Sequence, residues 1–588
     1  LRGNWRHVGP GERNAAWTPE ARVPARAHSA VGTGTAVFSR SWVGIALILG
    51  LAGLGLCLSL TRFDHDAKPL ELTREAAVAR AREVLADQNW ELSQRWMLQA
   101  TVEDEPGDSE RFVWEEHGPD TYWALVTAGY LASPRWRVRF VCFDPAVPVA
   151  ERAEHYEVLI SGDGDIDGLR HELPEERPGL DLTHADAERV AAAWLRDVGE
   201  EQETDPALWR EVAAGPEKHP RRTDWTFTYA TDAYAGFTNG EMRLRLRISG
   251  NQVVSVTREF RVPEDYRRRA SEEERRKGLM RGVSAGGFFL LALGGLVWAM
   301  VGWSRRQIDF RAFWRLVMVL GAVSVVQELN VWPSRVAQFS TAEPFTHQVV
   351  TAVLGIMVTQ ALMVPVLALL AGWALRQSPP WPGLPKAAQW LGVSVGVFLA
   401  GFRALVYAFA EEAGPYWPTC EALQAHVPWL AAALAEVIPF VFRTVLLQTV
   451  LLAADRLTAR GRTGALGAGA LLTGTGVLLV GYAGPADFRS WLLLGGTFGL
   501  LLVLLHRRVL RGQPAMVPVI VAVGTACDAL HLAVVAPHPG ARLGYGVGGA
   551  LLVALGWLWS GWATHTHRDT VPPPLPVEPP ASSLPQEA

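Results

Sequence analysis

The pattern of apolar and polar positions divides the chain into two unlike parts. Residues 281–562 form one long apolar run after another, and a further apolar run covers residues 42–60. A helix of about 20 apolar residues crosses a bilayer core of about 30 Å. Residues 63–280 are instead dense in Arg, Glu and Asp. The pattern predicts a membrane anchor, a polar domain and a multi-pass α-helical membrane domain.

The apolar runs predict about ten membrane spans. Their approximate bounds are 42–60, 282–303, 314–332, 348–375, 388–410, 427–454, 464–482, 490–505, 515–536 and 541–562. Basic residues follow every second run: Arg305, Arg306, Arg311, Arg376, Lys386, Arg456, Arg460, Arg462, Arg507, Arg508 and Arg511. The alternate loops carry Glu343, Glu411, Glu412, Glu421 and Asp487. Because basic loops stay in the cytoplasm, this alternation predicts that both termini are cytoplasmic and residues 63–280 extracytoplasmic.

The two ends of the chain fit this topology. Residues 1–41 form a basic segment, with six Arg against two Glu in residues 1–40. A polar lead of that length is too long for a signal peptide, so the run 42–60 is interpreted as a retained anchor. Residues 563–588 are Pro-rich, which predicts a disordered cytoplasmic tail.

Composition sharpens this picture and excludes some classes of protein. The chain has 588 residues, of which 49% are hydrophobic and 19% charged, against about 25% charged in soluble domains. Segregated hydropathy excludes a disordered chain, a coiled coil and a single soluble enzyme. The net charge of −4 gives no basic nucleic-acid surface, so no nucleic-acid partner is predicted. The four Cys form no paired zinc motif, and no cofactor or metal is predicted.

The polar domain is predicted to contain two copies of one unit, at residues 70–175 and 180–264. Each copy begins with Leu-Thr, with the Thr as predicted N-cap of an Ala-rich amphipathic helix, and ends in a β-hairpin. The similar segments are Leu72–Leu85 and Leu182–Leu195, and then His155–Gly162 and Arg243–Gly250. We therefore expect an inserted α+β domain of two helix-plus-hairpin repeats.

A helix followed by a hairpin, in tandem, resembles PepSY-type domains. These are small extracytoplasmic modules associated with peptidases, and the resemblance implies that residues 63–280 inhibit or bind peptide.

Two polar features of this domain have simpler explanations than a binding site. Asp163–Gly168 matches the start of an EF-hand loop, but Pro174 stands at the twelfth position, where that loop needs a bidentate Glu. We favour a polar hairpin turn there. We also favour a solvated strand face over a binding site for Arg243, Arg245 and Arg247.

Ionisable residues within the predicted spans are the best pointers to function, since each costs about 2.5–3.5 kcal/mol unless it is paired or faces a cavity. They are Glu328, Glu436, Arg443, Asp528 and His531. Glu436 and Arg443 are seven residues apart and share one helix face, and Asp528 and His531 are three apart. Pro439 is predicted to kink its helix. Arg443 is predicted to be the buried partner of Glu436 or Asp528.

The segment Glu436–Arg443, with Phe442-Arg443 at its end, resembles the first motif of the CPBP (Abi) family. These are the CAAX prenyl proteases and bacteriocin-processing enzymes, which are multi-pass intramembrane proteases of glutamic or metal-dependent type. Their motifs are E-E-x-x-x-R, F-x-x-x-H and H-x-x-x-N or H-x-x-x-D. The resemblance covers about residues 70–562 and implies a CPBP-like membrane domain, at 281–562, in a bacterial cytoplasmic membrane.

Aligned on the family's Phe-Arg pair, this chain lacks most of the catalytic residues. Ile438 and Pro439 stand at the two Glu positions, Tyr482 at the second-motif His and Gly524 at the third-motif His. Only Arg443 and Asp528 are retained. Losing the general base and the polarising groups removes the largest contributions to the hydrolytic rate. The resemblance therefore implies a catalytically inactive pseudoprotease that binds membrane-protein or peptide clients within the lipid bilayer.

Other arrangements stay open at this point. Glu411-Glu412 is an adjacent acid pair, but Tyr416 stands where the motif has Arg, so a solvated loop is favoured. Glu436, Asp528 and His531 could instead form a displaced catalytic site, which would make the chain an active intramembrane endopeptidase. His506 is interpreted as an interfacial residue rather than a ligand. A transporter or membrane scaffold unrelated to proteolysis is the further alternative, although spans 2–10 show no internal repeat.

Overall fold

The computed structural model describes residues 40–565, apart from 89, 91, 94, 202–208, 232–239, 306–307, 309, 378–385, 410–413 and 486. The basic N-terminal segment, the Pro-rich tail and the pair Glu411-Glu412 lie outside the described residues, except that the first and last helices reach into the two terminal segments.

Helices account for most of the described chain. In chain order they are α1 (Arg40–Leu60), α2 (Arg74–Asp87), α3 (Asp108–Thr127), α4 (His184–Glu201), α5 (Glu264–Ser304), α6 (Phe310–Asn330), α7 (Trp332–Val336), α8 (Phe345–Gln377), α9 (Lys386–Ala408), α10 (Pro428–Leu434), α11 (Val437–Thr458), α12 (Arg462–Ala483), α13 (Phe488–Leu505), α14 (Val517–Val535) and α15 (Pro539–His565).

Nine helical segments within the described residues are long and apolar enough to cross a membrane. Each of the nine apolar runs predicted between residues 282 and 562 lies in one of them, with α10 and α11 together forming one. The anchor α1 is a further apolar helix of 21 residues. The chain therefore has the features of a multi-pass membrane protein.

Two of the predicted spans differ from a single helix bounded by loops. Helix α5 is 41 residues long and runs without a break from the polar domain into the apolar part, so the boundary predicted near residue 280 lies inside one helix. The span over residues 428–458 is interrupted at Ala435-Glu436, between α10 and α11. Pro439 lies in the first turn of α11, where its missing N–H costs no intrahelical hydrogen bond, and the predicted distortion is confirmed.

Glycine allows the membrane helices to approach closely. A Cβ at Gly53 of α1 would lie 2.4 Å from the Phe398 Cα of α9, and a Cβ at Gly401 would lie 2.3 Å from the Gly53 carbonyl oxygen. Helices α12 and α13 meet in the same way at Gly476 and Gly499. Because lipid is as apolar as the helix surfaces, such close packing replaces the hydrophobic effect as the source of association.

Residues 63–280 contain one antiparallel sheet of eight strands among the described residues. The strands are β1 (Trp96–Glu103), β2 (Arg135–Cys142), β3 (His155–Ile160), β4 (Ile166–Glu172), β5 (Trp209–His219), β6 (Arg222–Thr231), β7 (Glu241–Ser249) and β8 (Gln252–Arg261). Their order in the sheet is β1-β2-β3-β4-β8-β7-β6-β5. Strands β4 and β8 meet in the middle, where Arg170 pairs with Ser255. We call this unit the sheet domain.

The two halves of the sheet share a set of local contacts. Trp136 Nε1 in β2 donates to the Leu72 carbonyl oxygen at 2.9 Å, and Trp225 Nε1 in β6 donates to that of Leu182 at 3.0 Å. Thr73 Oγ1 accepts a hydrogen bond from Ala76 N, and Thr183 Oγ1 from Asp186 N, which confirms both predicted helix N-caps.

Each half contains more than the predicted helix and hairpin. Two further strands precede each hairpin, and helix α3 is inserted between β1 and β2. The strand signal for β2 was present in the sequence, because buried Trp136, Val138 and Phe140 alternate with the half-buried Arg135, Arg137 and Arg139.

The two polar features of this domain are structural elements. Asp163 and Gly164 lie in the turn between β3 and β4, where Ser161 N donates to the Asp165 carbonyl oxygen at 3.0 Å and Gly164 has a φ of 92°. The three arginines of β7 lie on a strand face as expected. Arg243, Arg245 and Arg247 pair there with Glu241, Glu259 and Glu172 of the same sheet at 2.7–2.8 Å.

The loops that contact the sheet domain all lie at one end of the helix bundle. Gln99 Nε2 of β1 donates to the carbonyl oxygens of Val336 and Phe339, which follow α6, at 3.1 and 2.9 Å. Tyr416, which follows α9, and His531, near the end of α14, contact the segment that joins α1 to the sheet. The turns after α11 and α13 lie at the opposite end.

The glycine packing predicts the outcome of a matched pair of substitutions in α1. Gly53→Ala places a methyl group against the α9 backbone and should lower stability by about 1–3 kcal/mol, whereas Gly55→Ala, whose Cβ has nothing within 4 Å, should not. Thermal unfolding of the purified protein in detergent measures both. Equal melting temperatures for the two variants would show that α1 does not pack against α9 in this way.

Candidate functional site

Charged side chains from α9, α11 and α14 gather near the end of the bundle that faces the sheet domain. Arg403 of α9 forms an ion pair with Asp528 of α14, and its Nη2 also donates to the Gly524 carbonyl oxygen at 3.1 Å. Gly524 and Asp528 are four residues apart, so they lie one above the other on α14. One guanidinium therefore bridges two successive turns of that helix.

The second ion pair lies within the interrupted span. Arg443 Nη1 of α11 is 2.8 Å from Oε2 of Glu436, the residue that precedes α11. Of the two partners predicted for Arg443, Glu436 is the one it contacts. The two side chains are 44% and 30% exposed, so the prediction of the pairing with Glu436 is confirmed but the predicted burial of Arg443 is wrong. This pair and the Arg403–Asp528 pair leave neither carboxylate without a cation.

His531 connects this group to the polar segment that follows the anchor. Its Nε2 donates to the Arg62 carbonyl oxygen at 2.7 Å, and its ring meets Phe63 edge to face with centroids 5.6 Å apart. The imidazole thus satisfies a carbonyl group just beyond the C-terminal end of α1. In this geometry it binds backbone rather than a carboxylate.

The residues singled out in the sequence are brought together. Glu436, Arg443, His531 and Arg403 all lie close enough to Asp528 to act on its carboxylate through their charges. Cys57 of α1 and Cys527 of α14 share the same surroundings. We call Arg403, Glu436, Arg443, Asp528 and His531 the intramembrane polar cluster.

The positions that aligned with the missing catalytic residues differ in their surroundings. Ile438 packs against the apolar core of the bundle, and Pro439 is partly buried in the first turn of α11. Tyr482 is 65% exposed near the end of α12, a different helix from those that carry the polar cluster. A Cβ at Gly524 would make an ordinary van der Waals contact with the Gly396 carbonyl oxygen, at 3.7 Å.

Two other titratable residues considered in the sequence lie elsewhere. Glu328 of α6 is held by Arg335 of α7 at 3.1 Å. His506 is only 2% exposed, so its side chain lies inside the bundle and not on its surface. Its Nε2 donates to Asp455 Oδ1 of α11 at 2.8 Å, a partner that satisfies the ring inside the bundle. The sequence had pointed to a lipid headgroup environment because Arg507-Arg508 follow directly.

A second set of contacts joins the sheet domain to the segment between α9 and α10. Asp66 accepts hydrogen bonds from Arg62 Nη2 and Tyr416 N at 3.0 Å, and its amide donates to the Tyr416 carbonyl oxygen at 2.8 Å. Tyr122 Oη donates to the Asp66 carbonyl oxygen and accepts from Trp417 Nε1, at 2.8 and 2.9 Å. These bonds run without a gap to Arg62, whose carbonyl group binds His531.

An open acidic cleft of about 490 Å³ lies beside this junction. Its walls include Glu103, Asp104, Glu105, Glu110, Arg135 and Trp417. Asp104 Oδ2 accepts the Cys420 amide at 2.5 Å. Burial raises the pKa of the Asp104 carboxyl, a change that the Cys420 amide opposes and the charge of Glu105 reinforces.

The donor set does not suit a metal ion. Within the part of the chain that the structure describes, no group of three or more His, Cys, Asp and Glu side chains could hold one. The polar cluster carries two arginines beside its two carboxylates, and a guanidinium offers only donors.

Two residues of these networks were not singled out in the sequence. Arg403 lies inside the predicted span 388–410, so the argument that selected Arg443 would also have found it. Asp455 lies just beyond the predicted span 427–454, next to the basic residues that follow it, and so did not stand out. The pairing of each residue depends on which helices are neighbours, which hydropathy does not reveal.

The Arg403–Asp528 pair predicts a characteristic double-mutant result. Arg403→Met leaves the Asp528 carboxylate unpaired within the bundle and should lower the free energy of unfolding by about 1–3 kcal/mol. Breaking a fully buried pair costs about 3–5 kcal/mol. The loss should be smaller here because the side chains of Arg403 and Asp528 are 33% and 42% exposed. Arg403→Met with Asp528→Leu should recover most of that loss. Thermal unfolding in detergent measures both, with Arg268→Met at an exposed position of α5 as control. Additive losses would refute the pairing.

The raised pKa of Asp104 predicts the pH dependence of the junction. A carboxyl group whose pKa is higher in the folded than in the unfolded state stabilises the folded protein at low pH, where it is protonated in both states. This stabilisation is lost as the pH rises from about 4 through the pKa of the folded state. Asp104→Asn should therefore gain stability relative to the natural protein over that range. Melting temperatures between pH 4 and 8 test this, with exposed Asp64→Asn as control. A difference that does not change with pH would contradict it.

Comparison with known proteins found no counterpart for this arrangement. No protein-family model, no curated protein and no solved structure matches the chain.

Proposed function

We propose that the chain is a catalytically inactive relative of the CPBP-type intramembrane endopeptidases. It binds a peptide or a segment of a membrane protein at the intramembrane polar cluster, below the sheet domain. The observation that carries the proposal is the single Arg403 guanidinium that joins Gly524 and Asp528.

This contact supports inactivity in chemical terms. In the alignment with the family's third motif, Gly524 and Asp528 stand at its two polar positions, and Arg403 contacts both. A general base must present an accessible carboxylate oxygen to water, and one oxygen of the Asp528 carboxylate is held by Arg403. Glu436 is paired in the same manner with Arg443. In each carboxylate one oxygen is thus bound to a guanidinium, which restricts the approach of water on that side.

The binding role rests on the same cluster. Polar side chains at membrane depth are retained where they face one another or a cavity, and they mark functional sites. The interruption at Glu436 also leaves helix-terminal backbone groups between α10 and α11, and irregular backbone at such depth is tolerated where it lines a cavity or is buried in protein. The two partly exposed ion pairs would receive the polar backbone of a client segment.

The sheet domain is proposed to be a tandem PepSY-like module. Support for duplication comes from equivalent contacts in the two halves, in which Trp136 and Trp225 bind the carbonyl group before each N-cap. Equivalent turns support it too, since a Cβ at Gly162 would meet Pro69, and one at Gly250 would meet Leu180. Such a module would bind or sense peptide outside the cytoplasm. Peptide binding would act on the polar cluster through the hydrogen bonds of Asp66 and Arg62.

We further infer ten spans, with α1 as the first, in a bacterial cytoplasmic membrane. The alternation of basic and acidic loops supports cytoplasmic termini. The positions of three loops support the same count. The loops at Val336 and Tyr416 contact the sheet domain or the segment that leads into it. The loop at Gly484 lies beside Arg281, where the apolar part of α5 begins.

Crosslinking tests client binding directly. A photoreactive amino acid in place of Gly524, where a Cβ would have one neighbour at 3.7 Å, should capture fluorescent transmembrane peptides in nanodiscs. The same substitution at Gly546 of α15, where a Cβ has nothing within 4 Å, should capture far fewer. Equal yields at the two positions would refute a client site at the cluster.

A cleavage assay separates this proposal from its main alternative, an active endopeptidase with relocated groups. That alternative is favoured by the presence of Glu436, Asp528 and His531 in one neighbourhood. We expect the purified protein to leave a membrane-peptide library intact. Cleavage that Glu436→Gln abolishes, and that Glu328→Gln at the other arginine-paired glutamate does not, would establish the enzyme instead.

A further inference from the structure

Five exposed arginines lie at the end of the bundle opposite the sheet domain. Arg460 and Arg462 belong to the turn between α11 and α12, and Arg507, Arg508 and Arg511 follow α13. We call these five residues the arginine patch. In the part of the chain that the structure describes, none of the five pairs with a carboxylate, whereas the arginines of β7 are all paired.

Asp455 holds the two turns side by side. Its Oδ1 accepts from His506 Nε2 at 2.8 Å, and its Oδ2 accepts from Gly512 N at 3.1 Å. Both oxygens of this carboxylate, which lies five residues before Arg460, are thus bound inside the protein. The hydrogen bonds span the π-helical turn His506–Leu510, in which Arg507 and Arg508 are exposed while Val509 and Leu510 are buried.

The guanidinium groups of the arginine patch favour binding of an anion. A guanidinium is a rigid fork of donors that matches a phosphate group, and it stays charged at any physiological pH. Here five exposed arginines lie at one end of the bundle, where helices long and apolar enough to span a membrane end. In a bilayer this is the depth of the lipid headgroups. A single basic residue at a helix end is explained by the positive-inside rule. Here two turns that carry basic residues are joined through the Asp455 carboxylate, so they form a preorganised surface.

We propose that the arginine patch is a binding site for the phosphate headgroup of an anionic phospholipid. The lipid would contact Arg460 and Arg462 from one turn and Arg507, Arg508 and Arg511 from the other. Its acyl chains would lie along the apolar outer faces of α12 and α13, where Leu466 and Leu504 are exposed. The site is independent of the polar cluster and of the function proposed for it.

The retention of bound lipid tests this site and does not depend on client binding. The purified full-length protein is exchanged into detergent containing equal amounts of phosphatidylglycerol and phosphatidylcholine, and the lipids that remain bound are counted by native mass spectrometry. The natural protein should retain phosphatidylglycerol in preference. Replacing Arg460, Arg462, Arg507 and Arg508 by Gln should reduce that preference about tenfold or more, since each basic side chain near a membrane surface contributes to anionic lipid binding.

The matched control is Arg268→Gln, an exposed arginine in the part of α5 beside the sheet domain. Far-UV circular dichroism establishes that each variant is folded, and paired variants limited to Arg460 and Arg462 or to Arg507 and Arg508 should each give part of the loss. Equal retention of the two lipids by the natural protein would overturn the proposal. So would a fourfold variant that keeps the natural preference.

Discussion

A charge within the hydrocarbon layer must be paired or open to a polar cavity, and the membrane domain is organised around that constraint. Insertion of a single ionised group costs about 2.5–3.5 kcal/mol on translocon scales, which is a large part of the stability of a typical domain. Arg403 with Asp528 joins α9 to α14, and Arg443 with Glu436 joins α11 to the break that precedes it. Close packing at a glycine brings α9 near enough to α14 for its pair to form, since a Cβ at Gly396 would lie 2.8 Å from the Ile520 carbonyl oxygen.

The same constraint ties the sheet domain to the membrane domain. The segment between the anchor and the first helix of the sheet domain contains Asp66, whose backbone and carboxylate bind Tyr416 and whose carbonyl group binds Tyr122. Arg62 of that segment contacts Asp66 through its side chain and His531 through its carbonyl group. A displacement of the sheet domain would therefore strain a hydrogen bond to α14, one turn from Asp528. These hydrogen bonds form a continuous physical connection between the two domains.

The sequence predicted what depends on local pattern and missed what depends on neighbours in space. Hydropathy located nine apolar helices correctly, because the length of a span and the apolarity of its surface are properties of each segment. The N-caps Thr73 and Thr183 and the turn at Asp163 followed from short-range chemistry. The partner of Asp528 did not, since Arg403 lies 125 residues away on a helix whose place in the bundle no periodicity encodes. The burial of His506 against Asp455 was missed for the same reason.

The position of Arg403 limits what the polar cluster can do. A carboxylate that activates water needs one oxygen free to take a proton, and a site for an oxyanion needs donors aimed at empty space. The Nη2 group of Arg403 supplies donors, but they are directed at the Gly524 carbonyl oxygen and at Asp528, so they are occupied before any client arrives. A client could bind beside this pair through the partly exposed Arg443 and Glu436 without displacing it. If Arg403 left Asp528, that carboxylate would be unpaired within the bundle, which is costly at membrane depth. The contact on which the proposed inactivity rests is thus also one that joins two helices of the bundle.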